Sequence, residues 1–247
     1  MTLLLIASLF LPLFPLSIVL NGTLTTLRHP AARGAVLLLW PQLGIGLLQI
    51  AQHAIPPYFV PWALLTSGLY ALRLLTVRDM GRWAGFLATS GLALTWALAA
   101  AGADRVDLHL FAFWFSLPHA LMALLAYPLT RRFGAAYAGL QGGLIGHLPR
   151  LSGVLAVTAL AAVATPPFPG FFGLLHVLQV LDWAGAVAVL AIWLIWGWAA
   201  TKLMQGFIFG AERMESDADI GRVSTLAFAG MLGVFIAAGL YSTGGGL

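Results

Sequence analysis

The sequence predicts an all-α fold: a polytopic transmembrane helix bundle with about eight spans. Three observations lead there. Hydrophobic residues make up 61% of the 247 and charged ones only 8%, with a mean hydropathy of +0.95. The apolar residues fall into runs of about 20, the length a helix needs to cross a bilayer, and the charges collect in the short gaps between runs. A soluble core is excluded.

The runs come in order, at about 3 to 21, 34 to 53, 58 to 77, 83 to 101, 108 to 129, 151 to 181, 184 to 209 and 222 to 243. The first, Leu3 to Leu20, has no basic residues before it and no small-residue cleavage site leading to a soluble domain, so it reads as a retained helix. The second carries Gln42, Gln49 and Gln52 on one helical stripe. In the third, Arg73 lies a turn before Arg78 and reaches for the interface. The fifth holds His119 just after Pro118, and the seventh ends with Lys202 and Gln205 on a shared face.

The sixth run, Leu151 to Leu181, is too long for one simple helix and has no charged turn to divide it. At its middle stand Pro166, Pro167 and Pro169, followed by Gly170. Prolines remove backbone donors and clash with the preceding turn, so a break is expected at 165–170. Freed backbone groups cannot face lipid, and such breaks in membrane proteins line ion or substrate paths. The plainer reading is a proline-kinked packing helix. The break is expected to pack against the second span near Gln42, with His176 and Gln179 pointing into whatever it faces.

Loop charge sets the orientation. Arg28, Arg33, Arg78, Arg82, Arg131, Arg132, Arg150, Arg213 and Arg222 fall on one side, and only Arg105 on the other, among Asp104, Asp107 and Asp182. The positive-inside rule then puts both termini outside and counts 151 to 181 as one crossing. No linker separates a second domain, so residues 1–247 read as one transmembrane unit. The loop from Thr130 to Arg150 offers a short amphipathic helix with Tyr137 and Leu140 at the interface, and its glycines are too scattered to cradle phosphate. Glu215, Asp217 and Asp219 lack the EF-hand pattern and read as a solvated loop.

Without cysteine there is no disulfide, thiolate metal site or cysteine nucleophile. No metal-ligand spacing or paired nucleophile and base occurs, so neither a metal nor another cofactor is expected, and the basic pI reflects orientation rather than nucleic acid. Ionisable groups inside a membrane are functional candidates. His119 can exchange a proton near neutral pH or simply bond between helices, and Lys202 can serve a path or snorkel to the interface. With His176, Gln42 and Gln179 they form the candidate proton or ion path. No carboxylate lies well inside a span.

Several motifs resemble the antiporter-like membrane subunits of respiratory complex I, membrane-bound hydrogenases and Mrp sodium/proton antiporters. Ala164 to Phe172 is similar to the family's Gly-Leu-Pro-Pro-x-x-Gly-Phe-Phe break, and Gly139-Leu140 with His147-Leu148-Pro149 to the loop before it. His29-Pro30 through Gly46 resembles the other central helix, Arg78 to Gly85 the Asp-Leu-Lys segment, and His119-Ala120-Leu121 a His-Ala/Gly step. The likeness covers about residues 29 to 210 and implies the C-terminal half of such a subunit. Departures are as telling. The family's lysines fall at Gln42, Gly81 and Ala123, and its lysine or glutamate after the break at Leu174; only His119 keeps its type.

The resemblance implies an inner-membrane subunit of a larger ion-coupled complex, with other membrane subunits and a large soluble cytoplasmic subunit as partners. With most path residues lost, a scaffold is expected. The alternative is a proton half-channel through His119, His176 and Lys202, including one that drives inorganic-carbon uptake with a soluble partner.

Overall fold

The structure, a computed structural model, describes residues 1–51, 54–140, 142–209 and 219–244. Twelve helices follow one another among them: α1 (Thr2–Phe10), α2 (Ser17–Thr26), α3 (Pro30–Ala51), α4 (Phe59–Leu74), α5 (Met80–Ala93), α6 (Thr95–Ala100), α7 (Arg105–Phe133), α8 (Leu144–His147), α9 (Pro149–Ala162), α10 (Pro169–Val180), α11 (Trp183–Ile208) and α12 (Arg222–Gly244). The fold is an all-α bundle. Pro30–Ala51, Met80–Ala100, Arg105–Phe133, Trp183–Ile208 and Arg222–Tyr241 are each long and apolar enough to cross a membrane. The other expected spans are met by shorter helices.

The central element is α7, which packs along α3, α5 and α9 and also touches α6 and α10. Small residues permit these approaches: a side chain added at Gly91 of α5 would fall 2.6 Å from the Phe115 ring of α7. Trp83, Trp96 and Trp196 are fully buried in the same core. Asp79 and Asp182 cap α5 and α11, accepting from the backbone N–H of Arg82 and Gly185.

Two expectations about loops change. The described residues 134–140 form no amphipathic helix. Met80 N–H instead donates to the Ala136 carbonyl at 3.0 Å, and Ala138 N–H to the Arg78 carbonyl at 2.8 Å. Gly134, Gly139 and Gly143 all have positive φ, which a helix cannot accommodate, so the short α8 starts only at Leu144. Nor is Asp219 a free loop carboxylate: half-buried, it accepts from Arg150 N–H at 2.7 Å and Leu151 N–H at 3.3 Å, in the first turn of α9. Glu215 and Asp217 lie outside the described residues.

The first run is also not one helix. α1 stops at Phe10 and α2 begins at Ser17. Pro12 and Pro15, three residues apart, carried the signal, for the same reason as the prolines downstream.

Candidate functional site

The helix that starts at Pro149 ends at Ala162, and the chain becomes helical again at Pro169. The non-helical stretch, 163–168, therefore starts and ends two residues before the expected one. Pro169 is the first residue of α10, where its missing N–H costs nothing, so it starts the helix rather than breaking it. Ala164 adopts φ 55°, in the left-handed region.

This break does not meet Gln42. α12 lies across it: a side chain added at Gly239 would fall 2.2 Å from the Pro167 carbonyl oxygen, and Phe168 stacks 5.6 Å from Phe235. The Trp193 indole of α11 donates to the Val163 carbonyl at 2.9 Å. On the other side Gly170 and Gly173 face the rings of Phe115 and Phe111 on α7.

Indole donors recur at the first break. Trp40 donates to the Leu9 carbonyl at 3.1 Å, Trp96 to that of Leu11 at 3.0 Å and Trp62 to that of Phe14 at 2.6 Å, while Phe14 N–H donates to Thr66 Oγ1 at 3.0 Å. Each satisfies a backbone group that a broken helix leaves free in an apolar medium. Nothing in the sequence marked these tryptophans for that task, because their partners lie 31 to 85 residues away.

Gln42 turns instead to His109, a residue that the sequence reading passed over. The Gln42 Nε2 donates to the His109 carbonyl at 3.3 Å, leaving its Oε1 to accept from His109 Nδ1 at 2.5 Å. That fixes the neutral tautomer, so His109 Nε2 accepts from the Gln49 amide at 3.2 Å. Gln52 lies outside the described residues.

His119, ten residues further along α7 and about 15 Å deeper, is fully buried. Its Nδ1–H donates to the Phe115 carbonyl of its own helix. The Nε2 acceptor and the nearby Ser116 hydroxyl have no hydrogen-bond partner among the described residues.

The remaining candidates do not join it. α10 buries Gly170, Leu174 and Val177, which leaves His176 half-buried and Gln179 exposed, off its packed face. Lys202 Nζ donates to the Leu75 carbonyl at 3.2 Å, beside Arg78 at the end of α4. Among the positions where the resemblance places a lysine, Gly81 has a cation beside it after all. The Arg33 guanidinium of α3 stands 2.9 Å from where a Gly81 side chain would begin. No cluster of metal-ligating side chains occurs among the described residues.

The chain matches no protein-family model and no curated protein. Among the solved structures that share its fold, three serve as examples. One is respiratory complex I from Thermus thermophilus with bound NADH (TM-score 0.79, 19% identity, 97% of this chain and 54% of that one). Another is the membrane-bound sulfane sulfur reductase, an archaeal respiratory membrane complex (0.78, 16%, 96% and 51%). The third is the Mrp complex from Dietzia sp. DQ12-45-1b (0.76, 14%, 97% and 55%). The fold is the one that the resemblance to antiporter-like subunits implied, and the chain spans about half the length of the chains it matches.

Proposed function

We propose that this chain is the membrane-embedded, antiporter-like subunit of a larger ion-coupled complex in the inner membrane, where it mainly scaffolds and docks its partners. These are other membrane subunits and a large soluble cytoplasmic one. In this reading residues 1–247 form a single domain equivalent to the C-terminal half of such a subunit. Both breaks lie at membrane depth, α9 and α10 make one crossing, and the arginine-rich loops face the cytoplasm.

One observation carries the scaffold role. Among the described residues His119 is the sole fully buried histidine, and its own helix holds its Nδ1. A proton path needs several exchangeable groups in line, whereas Lys202 sits at the rim and His176 on the far side of α10.

A second reading keeps the half-channel, as in proton-driven inorganic-carbon uptake with a soluble partner. It is favoured by the unpaired His119 Nε2 beside Ser116, since buried polar atoms normally find a partner. The two readings separate on His119→Gln and Lys202→Met, assayed in the assembled complex. A scaffold retains proton-coupled activity in both. Normal assembly with flux lost in both variants overturns the scaffold reading and establishes the half-channel.

A further inference from the structure

At the end of the bundle where the arginine loops gather, α2, α3, α4 and α5 enclose a cavity of about 420 Å³. Its walls carry the guanidinium groups of Arg33, Arg73 and Arg82 against one carboxylate, Asp79. They converge from three helices. The Arg73 guanidinium lies 5.7 Å over the rings of both Tyr70 and Phe86. Arg33 is braced by donating its Nε–H to the Leu27 carbonyl at 2.5 Å, and its NH1 occupies the space left open at Gly81. Asp79 is already engaged in capping α5 through Arg82 N–H at 2.7 Å. The result is an excess of positive charge with fork-shaped donors, the chemistry that recognises phosphate.

The other wall is of a different kind. Ile18, Gly22 and Thr25 of α2 lie at spacings of four and three residues, on one stripe of that helix, and all three line the cavity. Ile18 is 55% exposed, and a side chain added at Gly22 would meet nothing within 4 Å. The stripe is thus an open trough running about 10 Å along the helix from the Thr25 hydroxyl to the apolar Ile18, with Asn21, Leu24 and Phe86 also on the wall.

We infer that this cavity binds an anionic phospholipid, its phosphate held by Arg33, Arg73 and Arg82 and an acyl chain laid along Ile18 and Gly22. Basic pockets between membrane helices suit such headgroups. An acidic segment of a partner protein would satisfy the arginines but has no use for the trough, and a free phosphate none either. The assignment is independent of whether the subunit conducts protons.

The full chain, purified and delipidated in detergent, is offered dioleoylphosphatidylglycerol, dioleoylphosphatidylcholine or inorganic phosphate, and bound lipid is counted by native mass spectrometry alongside thermal unfolding. Phosphatidylglycerol should be retained in preference to phosphatidylcholine and should raise the unfolding midpoint. Arg73→Gln and Arg82→Gln should each weaken retention about fivefold. Gly22→Leu keeps every charge and adds bulk only to open space, so it should lower retention with the lipid-free midpoint unchanged. Arg105→Gln, at the opposite end, should retain lipid normally. Equal retention of the two lipids, loss in Arg105→Gln to the same degree, or full retention by Gly22→Leu overturns the proposal. A full stabilisation by inorganic phosphate alone identifies a free-anion site instead, and loss of a partner subunit from the intact complex purified with Arg73→Gln, at unchanged lipid content, identifies a protein contact. Either result also overturns it.

Discussion

Gln42 of α3 and His109 of α7 hold each other by two hydrogen bonds, one from the Gln42 amide nitrogen to the His109 carbonyl and one from His109 Nδ1 to the Gln42 side-chain oxygen. The pair ties the second expected span to the central helix. It also occupies the position where the family resemblance places a lysine, so an amide that cannot titrate now fixes the tautomer of an imidazole that can.

Removing either side should therefore cost stability. Gln42→Leu leaves the His109 Nδ1 donor and carbonyl without this partner in a partly buried setting, and a loss of about 1 to 3 kcal/mol is expected. Thermal or denaturant unfolding of the purified chain in detergent measures it. Gln49→Leu, which removes a single bond, should lose less, and a larger effect at Gln49 would show that Gln42 is not the anchor.

Trp96 is fully buried and donates to the Leu11 carbonyl inside the first break. Trp96→Phe keeps most of the apolar volume but orphans that carbonyl, and it should destabilise by about 1 to 3 kcal/mol. Trp198, which is 68% exposed, supplies the control. Equal unfolding midpoints for Trp96→Phe and Trp198→Phe would mean that indole donation does not hold the break.

At the second break the sensitive glycine is Gly239 rather than Gly170. A side chain at Gly170 would meet Ala164 at an ordinary 3.5 Å, while one at Gly239 would run into the Pro167 carbonyl oxygen at 2.2 Å. Gly239→Leu must push α12 off the break, with an overpacking cost of about 1 to 3 kcal/mol or more. The yield of folded chain should fall further for Gly239→Leu than for Gly170→Ala.

The natural sequence has no cysteine, so single cysteines report on topology without background. Gly134 and Gly102 lie at opposite ends of α7, both have positive φ, and a side chain added at either meets nothing within 4 Å. In intact cells Gly102→Cys should react with a membrane-impermeant maleimide and Gly134→Cys should not, because in the proposed orientation the nine arginines that the sequence sets between apolar runs on the Gly134 side face the cytoplasm. Labelling in the reverse order would invert the assigned orientation.

Composition and run length by themselves determined the all-α membrane architecture, because a bilayer admits only segments that satisfy their own backbone and expose apolar side chains. They also located the break at Pro166 and Pro167, since the missing proline donor is a local property. The first break left the same kind of mark at Pro12 and Pro15, but inside a run of ordinary span length where nothing called for an interruption. Which groups repair the breaks was decided only by tertiary structure. The Trp96 indole finds Leu11, and Gln42 finds His109, across 85 and 67 residues of chain, and no periodicity encodes a meeting between helices that distant. The same holds for Arg33. Its charge was legible in its loop, but only the packing of α3 against α5 sets its guanidinium beside Gly81 and makes three separate arginines into one cavity wall.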